Sequence, residues 1–234
     1  MKILPTFEGI RLKALKVPRQ CKVFTNYRKK KLHSSNFTII SNNCWGGMIY
    51  ESYDIQKLSP TVGLFFMASD YIKFLYDLKG YIEGNLHFIS PNQSRWKDAP
   101  EISGDSRLGS YPIGVLSNGK EEVEIFFLHA HSENEAKDKW CRRCKRINWD
   151  KLLIKFNDQN GCTIDDIIAF LELPFEHKLF FTCKKWEKDI GWKQQMGKGY
   201  CTIKQFPKYN SIMASYEPFG KSRVLNVTDV LNQL

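Results

Sequence analysis

The chain has 234 residues, of which 42% are hydrophobic and 14% aromatic, and it carries a net charge of +10. This composition excludes a disordered chain, and the length suffices for one large domain with a substantial core. No apolar run is long enough to cross a membrane, and the first residues lack the apolar core of a secretion signal, so we expect a cytoplasmic protein. Seven cysteines without a compact framework spacing favour reduced thiols over disulfides.

The positive charge is concentrated at the start of the chain. Residues 1–32 contain ten lysines or arginines and one acid, which leaves the rest close to neutral. Ile10, Ala14 and Val17 would share one face of a short amphipathic helix. Such a segment suits peripheral contact with an anionic membrane at its inner face, and a solvated basic arm explains the pattern equally well. We divide the chain into a basic N-terminal segment, 1–34, and a single α/β domain, 35–234.

The stretch FTIISNNCWGGMIY, residues 37–50, is the most informative pattern. Phe37–Ile40 are β-branched or aromatic and predict a buried strand, which three turn-forming residues end. Cys44 and Trp45 then lie at the carboxyl end of a strand, on a loop that feeds a helix over 48–56. In open α/β sheets this edge is where ligands bind.

The remaining elements alternate between helices and strands. Apolar spacing and turn residues predict, in chain order, a helix over 70–80, an irregular stretch over 90–110, a hairpin of strands 111–116 and 123–128, a capped helix over 132–148, a strand over 152–156, a helix over 164–173, a strand over 178–183 and a closing helix over 227–234. The alternation after residue 120 favours the α/β class, and the hairpin favours a mixed sheet. We predict a three-layer Rossmann-like mixed β-sheet flanked by helices. Segment 184–206 is interpreted as a lid or a surface loop.

The cysteine loop is the first candidate site. The Cys44 thiolate would be a strong nucleophile, favoured by a helix N-terminus, and the bare backbone of a glycine pair can hold an oxyanion. The alternative is that Cys44 is a small buried residue that fills space beside Trp45. The candidate substrate- or donor-binding residues here are Asn42, Asn43, Trp45, Gly46 and Gly47, with Ser59 and Thr61 from a second polar loop that a helix cap would also explain.

The stretch FLHAHSENEAKDKWCRRCKR, residues 127–146, is the second candidate site. His129 or His131 could act as general base, and Glu135, the partner of Ser132 in a capping box, completes the predicted catalytic set. The basic end of the helix predicts phosphate binding, because two arginines four residues apart share a face. The arginines concerned are Arg142, Arg143 and Arg146. The alternative is a capped surface helix whose charges are only solvated.

Metal and nucleic-acid chemistry have little support in the sequence. Cys141 and Cys144 form a CxxC pair, but no second pair lies close by, so we predict no metal site. Walker, GxGxxG, GxSxG, DxD and HExxH motifs are all missing from the sequence. Aromatic residues near basic ones could stack on bases, but the sequence contains no recognised nucleic-acid-binding module. We therefore expect no nucleic-acid partner.

Three segments in this order resemble a bacterial family of exopolysaccharide or capsule biosynthesis proteins (domain of unknown function 1919). They are FTIISNNCWGGMIY, LSPTVGLFF followed by DYIKFL, and FLHAHSENEAKDKWCRRCKRIN, and the resemblance continues through FPKYNSIMASYEP and RVLNV. It implies synthesis of surface polysaccharide in the cytoplasm, near lipid-linked sugars. The residues Ser41–Cys44 also resemble the Gly-Asn-Cys-Gln opening of a capsule acetyltransferase family that binds coenzyme A. In this chain Asn42 replaces the glycine and Trp45 the glutamine.

Three functions follow from these observations and resemblances. The leading one is an acyltransferase, similar to an O-acetyltransferase, that acylates a sugar hydroxyl of a polysaccharide or lipid-linked sugar. Cys44 would be nucleophile or donor-site residue, a histidine the base, and acetyl-coenzyme A the donor, with no tightly bound cofactor. The alternatives are a metal-independent glycosyl- or glycerophosphotransferase with a nucleotide-activated donor, and a non-catalytic assembly protein held at the membrane by residues 1–32. An enzyme is favoured because polar residues concentrate at strand ends.

Overall fold

The computed structural model describes residues 19–184, 200–205 and 225–234, together with Ala14 and Val17. In chain order the elements are α1 (Lys22–Lys29), β1 (Thr38–Ser41), α2 (Trp45–Ser52), α3 (Ala68–Tyr76), α4 (Leu78–Glu83), β2 (Asn85–Ile89), a short 3-10 helix (Pro91–Gln93), α5 (Pro100–Ser103), β3 (Ile113–Ser117), β4 (Glu122–Phe126), α6 (Glu133–Cys144), β5 (Leu152–Asn157), α7 (Ile164–Glu172), β6 (His177–Thr182), β7 (Tyr200–Gln205) and α8 (Val227–Leu231). Most of the predicted strands and helices are confirmed within a few residues.

The strands form two sheets. One is parallel, in the order β1-β5-β6-β7, and the other is antiparallel, in the order β2-β3-β4. The α/β class is confirmed. Parallel and antiparallel strands lie in separate sheets instead of one mixed sheet, because the hairpin β3–β4 pairs with β2, which the sequence analysis does not predict. β2 is half exposed, so its apolar pattern is weak.

Some predicted boundaries are wrong for local reasons. The helix predicted over 70–80 is two helices, α3 and α4, because Asp77 leaves the helical conformation and its carboxylate accepts a hydrogen bond from the N–H of Gly80. α2 begins at Trp45, three residues before the predicted start. The irregular stretch 90–110 contains two short helices, and residues 200–205 of segment 184–206 form β7. Residues 185–199 and 206 of that segment lie outside the described residues.

Apolar cores cover both faces of the parallel sheet. On one face, Ile154 and Phe156 of β5 share a core with Leu116 and Val123 of the antiparallel sheet and with Trp140 of α6. The opposite face of the sheet packs against α2 and α8 in a second core. These cores give the domain three layers and explain why β1, β5 and β6 are almost entirely buried. The side chain of Lys155 is buried within this apolar sheet.

Side chains cover the free edge of β1. The N–H of Ile39 donates to the hydroxyl of Tyr50 over 2.9 Å, and the N–H of Ser41 donates to Oγ1 of Thr61 over 3.1 Å. Ser59 in turn contacts Thr61 through their hydroxyl groups, 3.0 Å apart. These contacts satisfy backbone groups that no neighbouring strand pairs with. The end of β1, from which the cysteine loop starts, is therefore held in place.

The described part of the N-terminal segment packs against α2. Arg28 of α1 is almost fully buried and donates hydrogen bonds to the carbonyl oxygens of Ser52 and Arg19. The predicted amphipathic face lies partly outside the described residues, although Ala14 and Val17 are helical. Among the described helices, none has both the length and the apolar character needed to cross a membrane.

Candidate active site

Cys44 and His129 form a pair at the carboxyl end of β1. Their Sγ and Nε2 atoms lie 3.6 Å apart. Cys44 occupies the N-cap position of α2, and His129 follows the end of β4 by three residues. The N–H of His129 donates to the carbonyl oxygen of Gly63 over 3.1 Å. Gly63 has a φ of +84°, and a Cβ at this position would lie 3.3 Å from Cβ of His129, so glycine suits both the turn and the close approach.

Burial keeps both members of the pair neutral in the resting site. It raises the pKa of the Cys44 thiol to about 11, while the charges of Arg107 and Lys155 act in the opposite direction. Burial also lowers the pKa of His129 from its usual 6.5, against the effect of Glu51, which raises it. At neutral pH the imidazole is therefore unprotonated and able to accept the thiol proton.

The N-terminus of α2 is shaped to place backbone N–H groups beside the thiol. Asn43, one residue before the N-cap, also binds the start of the helix, because its Oδ1 accepts a hydrogen bond from the N–H of Trp45 over 3.1 Å. Gly46 allows the helix to lie close to β1, since a Cβ there would be 3.1 Å from Cγ2 of Ile39. The N–H groups of Gly46 and Gly47 belong to the first helical turn and have no intrahelical acceptor. Unpaired N–H groups at a helix N-terminus can bind negative charge close to Sγ of Cys44.

A buried lysine lies behind the cysteine loop. The Nζ atom of Lys155 donates to Oδ1 of Asn157 over 2.6 Å, to Oδ1 of Asn43 over 3.1 Å and to Oδ1 of Asn42 over 3.5 Å. Nδ2 of Asn157 donates to Oε1 of Gln159 over 2.7 Å, and Nδ2 of Asn43 donates to the same oxygen over 3.3 Å. Burial lowers the pKa of Lys155 well below its usual value. This amide cluster joins β5 to the cap of α2.

A larger cleft of about 630 Å³ opens over the Cys44–His129 pair. Among the described residues its wall carries five cationic side chains and one carboxylate: Arg19, Lys57, Arg107, Lys139, Arg143 and Glu51. Several are held by ion pairs, for example Lys139 with Glu135 at 2.6 Å, and Lys57 with Glu51 at 3.4 Å. The cations outnumber the carboxylates, so the cleft favours an anionic ligand.

A smaller cleft of about 470 Å³ adjoins the larger one, and Cys44, Arg107 and Leu128 line both. Its other walls come from Asn43, from Phe65, from the loop after β5 and from the stretch around α5. The thiol therefore lies between two open spaces of different lining.

A family model described as "Domain of unknown function (DUF1919)" matches residues 16–232. The chain belongs to the DUF1919 family. Its sequence resemblance to this family is thereby confirmed, and the connection with surface polysaccharide stays a proposal. The chain is also similar to a Haemophilus influenzae protein named "Uncharacterized protein", with 31% identity over 192 residues, or 82% of this chain and 80% of the relative.

The DUF1919 structure brings some predicted site residues together and separates others. Cys44, Gly47, His129 and Arg143 line the larger cleft, and Asn43 lines the smaller one. The side chains of Asn42, Trp45, Ser59 and Thr61 are buried and support the loops around Cys44. Gly46 packs on β1.

Four predicted residues lie away from the thiol. In the part of the chain that the structure describes, neither cleft is lined by His131, Glu135, Arg142 or Arg146. Oγ of Ser132 accepts a hydrogen bond from the N–H of Glu135 over 3.2 Å and caps α6 as predicted. The carboxylate of Glu135 accepts from the N–H of His131 over 2.7 Å, whereas in a capping box it would accept from the N–H of Ser132. Arg143, by contrast, points inward and donates to the carbonyl oxygen of Val62 over 2.6 Å.

Sequence reasoning about this DUF1919 chain missed Arg107, Lys155 and Gln159. Lys155 had a detectable signal, because a lysine inside the run LLIKFN contradicts the apolar character of a strand buried on both faces. Arg107 and Gln159 lie in loops and had no such signal. In the described part of the chain, no group of three or more His, Cys, Asp or Glu residues is placed to hold a metal ion.

Proposed function

We propose that the protein is a thiol-dependent acyltransferase in which Cys44 is the nucleophile and His129 the general base. The observation that carries this proposal is the 3.6 Å approach of Sγ to Nε2 at a helix N-terminus inside a cleft. A nucleophile within reach of a base, beside free backbone donors, is the arrangement that acyl transfer requires.

The reaction proceeds in two half-reactions. Sγ of Cys44 attacks the carbonyl carbon of a thioester donor while Nε2 of His129 takes the thiol proton. The oxyanion is stabilised by the N–H groups of Gly46 and Gly47 until the donor thiolate leaves with the proton from the imidazolium. The acceptor hydroxyl then attacks the acyl-enzyme, His129 takes its proton and returns it to the sulfur, and the ester is released.

The cationic wall of the larger cleft supports a donor that carries phosphate groups, such as acetyl-coenzyme A. In the same proposal the acceptor is a sugar hydroxyl of a surface polysaccharide or lipid-linked sugar, as the family resemblance implies. The basic N-terminal segment would hold the enzyme at the anionic inner face of the membrane.

The same cationic wall favours a second candidate, a metal-independent glycosyl- or glycerophosphotransferase whose donor carries a nucleotide diphosphate. This candidate requires neither a covalent adduct on Cys44 nor a thioester donor. A non-catalytic assembly protein would bind neither a thioester donor nor a nucleotide-activated donor. The covalent adduct therefore separates the first candidate from the others.

We expect incubation with acetyl-coenzyme A to add one acetyl group to Cys44, detectable by intact-mass and peptide mass spectrometry. The adduct should form in the Cys141→Ser variant, because Cys141 is exposed and lines neither cleft among the described residues. It should be missing in Cys44→Ser. Acetylation that persists in Cys44→Ser, or that distributes over the exposed thiols, would contradict the proposal.

We expect coenzyme A to bind the larger cleft and to stabilise the fold. At about 100 times its Kd the ligand should stabilise the protein by about 2.7 kcal/mol, which a thermal-unfolding assay resolves. Lys57→Glu should raise this Kd about tenfold, because a hydrogen bond to a charged phosphate is lost. Lys79→Glu is the matched control, since this lysine belongs to α4. Equal weakening by both variants, or stabilisation by nucleotide sugars alone, would favour another donor.

A further inference from the structure

We infer that the smaller cleft is the binding site for the acyl acceptor and that it takes an uncharged polyhydroxyl compound, the chemical class of a sugar. This inference rests on the proposed acyl transfer at Cys44. Cys44, Arg107 and Leu128 line both clefts, whereas all other described lining residues belong to one cleft or the other. The smaller cleft is therefore a separate space beside the thiol in which an acceptor can bind.

The buried lysine fixes the direction of a hydrogen-bond donor in this cleft. Nζ of Lys155 and Nδ2 of Asn43 each donate to Oδ1 of Asn157 over 2.6 Å, and these two donors assign the amide oxygen of Asn157 to the lysine side. The amide nitrogen of Asn157 then faces Gln159, whose oxygen accepts it over 2.7 Å. Oε1 of Gln159 is occupied by the amide cluster, and Gln159 lines the smaller cleft, so we assign its Nε2 group as the donor available to a ligand there.

Two hydrogen-bond acceptors are fixed in the same wall. Nδ2 of Asn160 donates to the carbonyl oxygen of Phe66 over 2.8 Å, which leaves Oδ1 of Asn160 for a ligand. Oε1 of Glu101 accepts from the N–H of Gly161 over 3.0 Å, which leaves its second oxygen. Both residues line the smaller cleft. A wall that carries both hydrogen-bond donors and acceptors can bind hydroxyl groups, because each hydroxyl both donates and accepts a hydrogen bond.

The charge of the smaller cleft excludes an anionic acceptor. Arg107 is paired with Asp105 by two contacts of 2.9 Å, so its charge is compensated within the wall. Glu101 adds a further carboxylate. Apolar wall comes from Phe65, Pro100 and Leu128, which can cover the C–H faces of a sugar ring. The larger cleft has the opposite character, because its cations outnumber the nearby carboxylates even when Arg107 and the Lys139–Glu135 pair are left out.

The test uses Gln159→Glu, which keeps the oxygen that accepts from Asn157 and Asn43 but replaces the outward donor with an oxygen. Gln56→Glu is the control, because it introduces the same charge at an exposed position. The probes are the methyl glycosides of glucose, galactose and mannose, added to acetylated enzyme. We expect them to accelerate loss of the acetyl group from Cys44, and we expect Gln159→Glu to raise their KM at least tenfold while Gln56→Glu leaves it unchanged.

Two results would overturn the inference. One is an equal KM for the glycosides in wild type and Gln159→Glu, and the other is faster discharge by ethanolamine or glycerol phosphate than by any glycoside. If no acetyl-enzyme forms, the proposed function fails, and the cleft is tested separately by ligand-observed NMR of the glycosides with Cys44→Ser protein. Signal transfer that Gln159→Glu removes would support the cleft, and transfer that this variant leaves intact would refute it.

Discussion

Replacing His129 by glutamine lowers the rate at which iodoacetamide alkylates Cys44 at neutral pH by roughly 100- to 10,000-fold, the range expected for loss of a general base. The imidazole takes the thiol proton across 3.6 Å, whereas an amide cannot. The rate is measured by peptide mass spectrometry so that Cys44 is distinguished from the other thiols. His131→Gln is the control, because its contact with Glu135 uses only the backbone N–H.

The pH profile separates base catalysis from a structural effect. In the wild type, alkylation should decline only below the usual imidazole range, since burial lowers the pKa of His129 from 6.5. In His129→Gln the plateau above this decline should disappear, and the rate should instead rise continuously with pH toward the thiol pKa of about 11. A profile that keeps its shape in the variant, or an equal loss in His131→Gln, would show that His129 is not the base.

Much of the site was open to prediction because its chemistry is local. The strand before Cys44, the turn residues and the glycine pair are neighbours in sequence, so the pattern itself places the thiol at a strand end and a helix start. The sequence near Cys44 could not show which of His129 and His131 would lie beside the thiol. β4 ends at Phe126, so the strand alternation that would put both histidines on one side does not extend to them.

Which arginine of α6 faces the larger cleft depends on how the helix packs against the domain. Helical spacing alone groups Arg142 with Arg146. The buried face of α6 is marked by Ala136 and Trp140, and Arg143 follows Trp140 by three residues, on the side that meets the larger cleft. Apolar residues of the same helix therefore held the signal that singles out Arg143. No such signal in the sequence marks Arg107, because its position beside the thiol depends on how the irregular stretch 90–110 folds.

Lys155→Met should change how stability depends on pH. The pKa of Lys155 is lower in the folded protein than the 10.5 of an unfolded chain, because burial disfavours the ammonium. Between these two values the unfolded state binds more protons, so the lysine makes the fold more stable as pH rises toward 10.5. Its destabilising effect is fully present below the folded pKa. The wild type should therefore gain on the variant by up to about 1.4 kcal/mol per pH unit within this window.

The same substitution should reduce the reactivity of Cys44. The charge of Lys155 lowers the thiol pKa against the effect of burial, and its contact of 3.1 Å with Asn43 holds the cap of α2. Lys178→Met is a matched control, because Lys178 is also buried, its pKa is also lowered by burial, and it binds carbonyl oxygens at the end of α7. Denaturant unfolding and iodoacetamide kinetics across a pH series measure both effects.

Both methionine variants should lose the pH-dependent gain in stability, but only Lys155→Met should slow alkylation of Cys44. Parallel stability curves for wild type and Lys155→Met would contradict the burial argument, and equal slowing by Lys178→Met would contradict the link to the thiol. A buried cation normally destabilises a sheet of this kind. If only Lys155→Met slows the alkylation, Lys155 lowers the stability of the fold but orients Asn43 and stabilises the Cys44 thiolate.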